Sequence, residues 1–447
     1  MTTQMHYAGD IPGNETEYDI IGIGFGPANI ALAIALEEFG FKGKCLFLER
    51  RDGPCWQPQM LLSGSDIQNH PARDLVTPRN PRSRYTFLNF LFEKNRLFEH
   101  LNLGLEFPLR REFAEYVTWV AQAFSHQVKY GQNVTRISLD KSATPQRYQI
   151  ETADGAVWRA RALVVAPGRT PLIPEVFTRA SRERVFHLTS YLESLEKLNA
   201  RRPLRRIAVV GGSQSAVEIL LHLRQSWPQV EVINIQRGYG FRLKDTSPFS
   251  EHVYFPEFVD YYFSSSAAAK QNINRHLHYT NYSSADKDVI HQLYVGLYED
   301  KLAGQQRVQI LANQQITGYR ETASGCTLHL TDSHTHRQQT VSDLDGVVLA
   351  TGFRNLGNGE SEELCPPLLS ELYPMIETQE SGFLKINRDY SLSSRPGCAL
   401  LPPLFLNGLC ESSHGYGDAG SFSLLSLRAK DIWMSLSPLL QEQEVPV

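Results

Sequence analysis

With 447 residues, 42% apolar and 21% charged, the chain has ordinary globular composition and suits two or three domains. Its 44 basic and 48 acidic residues leave a formal charge of −4 with no long run of either sign, which argues against a nucleic-acid partner. Six cysteines, Cys45, Cys55, Cys326, Cys365, Cys398 and Cys410, include no C-x-x-C, so neither a redox dithiol nor a zinc knuckle is expected. Scattered single thiols fit a reducing, cytoplasmic setting. The polar start, Met1 to Glu17, lacks a basic stretch leading into an apolar run, and no secretory leader is expected. No segment approaches the roughly 20 apolar residues that span a bilayer, so no membrane partner is expected.

Tyr18 to Gly24 is a short apolar run entering glycines and reads as a buried parallel strand. A helical pattern follows from Ala28 to Phe39, stopped by Gly40, and then a strand from Lys44 to Leu48 closing on Glu49. Cys55 to Asn80 is irregular, and a loop of that length is usually functional when ordered. Apolar spacing predicts helices over Tyr85–Glu93 and Arg111–Phe124 and a buried strand over Ala162–Ala166. A second strand–turn–helix–strand unit spans Arg206–Gly211, Ser215–Gln225 and Val230–Ile235. Residues Phe241 to Tyr298 are aromatic-rich and mostly helical in pattern; strands follow near Arg307–Leu311, Cys326–Leu330 and Gly346–Ala350.

Both strand–helix junctions carry small residues. In Gly22-Ile23-Gly24-Phe25-Gly26-Pro27-Ala28-Asn29, Gly22 permits the turn and Gly24 the approach of a pyrophosphate to the helix N-terminus, although Pro27 breaks the standard fingerprint. Glu49 ends the next strand, where a carboxylate accepts hydrogen bonds from a ribose diol. The second loop is Gly211-Gly212-Ser213-Gln214-Ser215-Ala216, and its following strand ends in Arg237 instead of an acid, which favours the 2′-phosphate of NADPH. Two dinucleotide sites in one chain suggest a flavin, FAD, that takes a hydride from NADPH. Disulfide reductases share the plan but need a paired dithiol, which leaves monooxygenases and oxidases. His334 and His336 lie in a polar stretch without acidic or cysteine complement, so no metal is expected. The aromatic group Tyr254, Phe255, Phe258, Tyr261, Tyr262 and Phe263 reads first as core.

The chain resembles the microbial flavin-dependent N-hydroxylating monooxygenases, the ornithine and lysine N-monooxygenases of hydroxamate siderophore synthesis. The resembling segments are GIGFGPANIALA (22–33), WQPQMLL (56–62), RDLVTPRNPRSRYTFLNFL (73–91) and VVGGSQSAVE (209–218). SPF (247–249), PEFVDYY (256–262), TNYS (280–283), ATGF (350–353) and HG…LLSLRA (414–429) continue in the family's order. The resemblance implies that NADPH reduces FAD, O₂ forms a C4a-hydroperoxyflavin, and an uncharged primary amine attacks its distal oxygen in a dry site. It places Trp56, Gln57, Met60 and Gln68 at the flavin, with Gln68 and Asn281 at the reacting centre. It also implies a homo-oligomer, commonly a tetramer.

Some positions depart from the family. Pro71-Ala72-Arg73-Asp74 replaces a Phe-Leu-Lys-Asp whose lysine binds substrate, Gln57 replaces a histidine, and Glu251 replaces an asparagine at the substrate head group. Ser423 aligns with a substrate-side serine only across a short insertion. A carboxylate at Glu251 repels a substrate carboxylate and attracts a cation. The expectation is therefore a decarboxylated amine of the putrescine, cadaverine or histamine type, bound by Arg73, Glu251, Asn281 and Ser423. L-Ornithine or L-lysine is the alternative; a Baeyer–Villiger or sulfur-oxidising flavoprotein, or a non-catalytic NADPH sensor, is more remote. The expected fold is α/β with two Rossmann-like domains: FAD at 1–170 and 345–447, NADPH at 171–242 and 299–344, and a helical substrate region at 243–298.

Overall fold

The computed structural model describes residues 17–140 and 143–442. Residues 1–16 of the polar leader and the last five residues, both assigned above to the first half, lie outside the described residues.

Strand β1 (Glu17–Ile23) runs through the first glycine loop into helix α1 (Pro27–Glu38) and strand β2 (Cys45–Leu48). Every residue of α1 from Asn29 to Leu36 is buried, which is why its sequence has almost no polar face. The following irregular stretch is ordered around the buried Asp74. Its carboxylate accepts from the backbone N–H of Val76 and Thr77 at 2.9 and 2.6 Å and of Phe87 at 2.7 Å. Helices α2 (Phe87–Glu93), α3 (Leu97–Leu103) and α4 (Arg110–Ala123) come next. Helix α2 starts two residues later than the apolar spacing predicts because Thr86 caps it, its hydroxyl accepting from Asn89 N–H at 3.2 Å. Strands β3 (Val128–Lys129), β4 (Val134–Asp140), β5 (Arg147–Thr152) and β6 (Val157–Val165) follow.

The middle of the chain carries β7 (Val185–His187), α5 (Tyr191–Arg201), β8 (Arg206–Val210), α6 (Gln214–Ser226) and β9 (Glu231–Ile235). Helices α7 (Pro256–Ser264), α8 (Ala267–His276) and α9 (Lys287–Leu302) lead to β10 (Val308–Leu311). Strands β11 (Gln314–Thr322), β12 (Gly325–Asp332), β13 (Gln338–Leu344) and β14 (Gly346–Leu349) follow, then β15 (Leu404–Leu406), α10 (Glu411–His414) and α11 (Leu425–Glu442).

Among the described residues the strands form a seven-stranded sheet, a five-stranded sheet and a three-stranded sheet. The first has the order β3-β2-β1-β6-β5-β4, with β15 also joined to β6. The first half of β6 pairs antiparallel with β5, and its last residues, Leu163–Val165, pair parallel with β15. The second sheet is parallel, in the order β10-β9-β8-β14-β7. Each glycine loop thus leaves the carboxyl end of a central strand, β1 or β8, flanked on both sides, which is where open α/β sheets bind ligands.

Two boundaries differ from the expectation. Strand β14 pairs with β8 and β7, so residues 346–349 belong to the second sheet and not to the half begun at 345. Its run Gly346–Leu349 is wholly buried, as a central parallel strand must be. Helix α9 extends past 298, and its Val289 and Leu293 pack in the second core with Ile219, Leu220 and Leu223 of α6. The aromatic group before it is mostly not core: Tyr262 is buried, whereas Phe255 and Tyr261 are exposed.

Candidate functional site

The first glycine loop is built to receive a large group at its helix. Gly24 has φ +83°, and a Cβ there would lie 2.4 Å from the Ala166 carbonyl oxygen, so only glycine fits. Gly26 precedes α1 in extended conformation with no side-chain cap, Pro27 occupies the first turn, and the space beside Gly26 is open. Free N–H groups at such a terminus suit a pyrophosphate. Glu49 lies beside the loop, accepting from Phe25 N–H at 2.8 Å and Arg51 N–H at 3.0 Å. Asn29, expected at the cofactor, is instead wholly buried beneath the loop. Its amide donates to the carbonyls of Gly24 at 2.8 Å and Ile23 at 3.3 Å and accepts from Asn407 at 3.1 Å. Asn407 in turn accepts from Arg428 Nε at 2.7 Å, and Arg428 pairs with Asp418 at 2.7 Å. Arg428 Nη2 is a buried donor without a protein partner, which adds a free donor on this side of the loop.

The second loop repeats the logic with different residues. Gly211 has φ +148°, and a Cβ would lie 2.4 Å from the Ala350 carbonyl oxygen. The buried Asn234 of β9 donates to the carbonyls of Val209 at 3.1 Å and Gly211 at 2.8 Å, doing for this loop what Asn29 does for the first. Gly212 lies against Gln236, whose buried Nε2 lacks a protein partner. Ser213 precedes α6 without a side-chain cap, and Ser215 is half-buried in its first turn. The Gln214 side chain is already engaged, accepting from Asp286 N–H at 2.9 Å and donating to Glu218 at 3.0 Å. Arg237 is exposed just past β9. Both loops therefore fit a dinucleotide, and they differ at the strand end, where Glu49 follows β2 while Gln236 and Arg237, with no acid, follow β9.

Between the loops a third cluster forms. The Tyr254 hydroxyl donates to Asn281 Oδ1 at 3.3 Å. Its pKa is raised by burial, then by the nearby charges of Glu411 and Glu251, with Arg73 opposing and Asp286 adding. Arg73, Glu251 and Asn281, far apart in sequence, are thus within electrostatic or hydrogen-bond reach of one phenol. Gln68 joins from the other side: its backbone N–H donates to Asp66 at 2.9 Å and its side-chain amide to Asp286. Burial pushes Asp66 up to about 6, with Asp286 adding to the effect.

Sequence reasoning missed the acidic floor of this cluster. Glu411, in the first turn of α10, is buried and pushed up to about 7 by that burial, against the opposing pull of Arg169. One oxygen accepts from the Tyr282 hydroxyl and from Asn355 Nδ2 at 3.0 Å; the other, Oε2, has no protein partner. Arg169 donates to the Tyr282 hydroxyl at 3.2 Å and lies over the Phe353 ring at 5.0 Å. The signal available was Tyr282 inside TNYS and an isolated acid after the apolar run LFLNGLC. His278 opens a tight turn and stacks on Tyr282 at 5.9 Å.

Other expected residues sit apart. Met60 is buried in the second core beside Leu188 and Tyr191, a packing role. Trp56 packs edge-on against Phe113 at 5.9 Å and Phe422 at 5.2 Å, and Gln57 is exposed at φ +46°. Ser423 is buried in the turn before α11, its N–H donating to Ser421 at 3.1 Å. Among the described residues there is no group of three or more His, Cys, Asp or Glu arranged for a metal, and no helix long and apolar enough to cross a membrane.

Comparison with known proteins agrees with this geometry. Residues 16–355 match the model of the family described as L-lysine 6-monooxygenase/L-ornithine 5-monooxygenase. The L-ornithine N(5)-monooxygenase of Pseudomonas aeruginosa is 37% identical over 430 residues, covering 94% of this chain and 93% of that protein. The ornithine N-hydroxylase of Kutzneria sp. 744, solved with reduced FAD, NADP⁺ and L-ornithine, superposes with a TM-score of 0.86 at 32% identity, over 95% of this chain and 99% of that one. The FAD-bound cadaverine monooxygenase of Erwinia amylovora gives a TM-score of 0.80 at 26% identity, over 95% of each chain. With two dinucleotide loops, an intervening polar cluster and this similarity along nearly the whole length, the chain belongs to the L-lysine 6-monooxygenase/L-ornithine 5-monooxygenase family.

Proposed function

We propose that the protein is an FAD- and NADPH-dependent monooxygenase that hydroxylates the side-chain amine of L-ornithine, a product suited to hydroxamate siderophore assembly. FAD is assigned to the first loop, where Glu49 meets the adenosine ribose, and NADPH to the second, where Arg237 meets the 2′-phosphate. Bound there, the two cofactors supply the hydride and activate O₂. The chain's own residues bind and orient the amine, keep water out and hold the reacting edge polar on one side.

Support for the substrate reading starts from position: Arg73 and Glu251, of opposite charge, both lie near the Tyr254 phenol that donates to Asn281 at 3.3 Å. An amino-acid head group presents a carboxylate and an α-ammonium on one carbon. Arg73 complements the first and Glu251 the second, so Glu251 does not exclude an amino acid. This replaces the expectation of a decarboxylated amine, and ornithine is also the substrate named for relatives 37% and 35% identical to this chain. A second reading keeps the diamine: without a substrate carboxylate, Glu251 holds the remote cation and Arg73 turns to Glu251 or to a cofactor phosphate. The similarity to a cadaverine monooxygenase favours it.

The variant Arg73→Met separates the two. If the substrate is ornithine, KM for ornithine rises by about tenfold or more, the scale of a lost charged hydrogen bond. If it is a diamine, KM for the diamine does not rise by that factor and ornithine is not hydroxylated by either form.

A further inference from the structure

Gln68 is held in an unusual way at both ends. Its backbone lies in the left-handed region at φ +53°, disfavoured for a residue with a side chain. The N–H is taken by Asp66 Oδ1 at 2.9 Å, and the side-chain nitrogen Nε2 donates to Asp286 Oδ2. Asp286 itself is fixed from behind. Its own N–H donates to Gln214 Oε1 at 2.9 Å, Gln214 Nε2 donates to Glu218 at 3.0 Å, and Lys244 Nζ lies 3.9 Å from Asp286 Oδ1.

An ionised carboxylate accepts hydrogen bonds and has none to give. Against it, a glutamine amide has one permitted orientation, NH₂ toward the carboxylate and oxygen away from it. We infer that Asp286 is a positioning residue that presents Gln68 to the active site as a hydrogen-bond acceptor through Oε1. The partner for that oxygen is an N–H donor, from either the flavin ring or the amine substrate. Because Asp286 is tied to the first turn of α6, the orientation is set by the half that carries the second glycine loop, although Gln68 belongs to the first.

The test is a swap made in the FAD-loaded protein. Gln68→Glu alone sets two carboxylates against each other; Gln68→Glu with Asp286→Asn restores one donor and one acceptor, now reversed, and leaves a carboxylate oxygen as acceptor toward the site. The single variant is expected to lower the thermal unfolding midpoint, and to lower hydroxylated amine formed per NADPH by about tenfold with peroxide released instead. The pair is expected to recover both. A rise in amine KM in the single variant assigns the N–H donor to the substrate; an unchanged KM with peroxide release assigns it to the flavin. The unfolding arm is independent of the proposed reaction, whereas the product arm rests on it, so a wild type that forms no hydroxylated amine condemns that reading alone. A pair no more stable than Gln68→Glu overturns the positioning role of Asp286. So does Asp286→Ala with wild-type stability and wild-type product per NADPH.

Discussion

Arg110 and Glu218 meet where the first glycine half and the second are joined, with Nη1 and Nη2 donating to the two carboxylate oxygens at 2.7 and 2.8 Å. Both are buried, at 7% and 4% exposure, and Arg110 also donates to the Met60 carbonyl at 3.0 Å. The pair closes a chain of contacts from Gln68 through Asp286 and Gln214 to Glu218, and back to the loop that carries Met60. It holds the two cofactor loops in one frame.

Arg110→Ala leaves the Glu218 carboxylate buried without its partner, which typically costs about 3–5 kcal/mol. Urea unfolding should show this loss, and Arg110→Met with Glu218→Leu should recover most of it, because an apolar pair of similar volume leaves no buried charge. A single variant as stable as the wild type contradicts the assigned role.

The strand end after the first loop carries the carboxylate Glu49, whereas the one after the second carries Gln236 and Arg237 and no acid. NADPH should therefore reduce the flavin with much higher kcat/KM than NADH, and Arg237→Ala should raise KM for NADPH about tenfold while barely changing NADH. Stopped-flow reduction with each coenzyme checks both. Equal use of the two by the wild type contradicts the assignment.

Glu411 sets a pH dependence of opposite sign to that of an ordinary paired carboxylate. Its folded pKa, about 7, lies above the value near 4.5 expected unfolded, so the folded state binds the proton more tightly. Stability from this group is full below about 4.5, falls as pH rises, and is lost by about 7, a total of about 3 kcal/mol. Glu411→Gln resembles the protonated form: it still accepts from Tyr282 and Asn355 and carries no charge. The difference in thermal midpoint, variant minus wild type, should therefore grow between pH 5 and pH 8. A difference that is flat or shrinks across that window removes the claim.

Much of this was legible in the sequence because its signals are local. A strand, a run of small residues, a helix and a strand-end charge lie within about 30 residues of one another, and both loops fell where the pattern put them. The hairpin β4–β5 was not read, since its residues alternate only weakly and gain their places from β6. Asn29 was misplaced because an asparagine two residues past Pro27 gives no sign of which way it faces; folded, it serves the loop from beneath. Glu411 and Asp286 were missed, and Tyr254 was read first as core, for a different reason. Each is unremarkable among its neighbours in sequence, and only the return of β15 and α10 to the first sheet and the placement of α9 on α6 bring them to Gln68 and Asn281.

Hydroxylated product counted against coenzyme tests the central claim most directly. The protein, loaded with FAD and given NADPH, air and L-ornithine, should form close to one N5-hydroxyornithine for each NADPH consumed, measured by mass with peroxide determined in parallel. Putrescine, cadaverine, histamine and L-lysine serve as the comparison series. NADPH oxidation by itself does not count, because uncoupled reduction of oxygen also consumes it. Coupled hydroxylation of a decarboxylated amine with none from ornithine would contradict the substrate reading; peroxide alone from every amine would contradict N-hydroxylation itself.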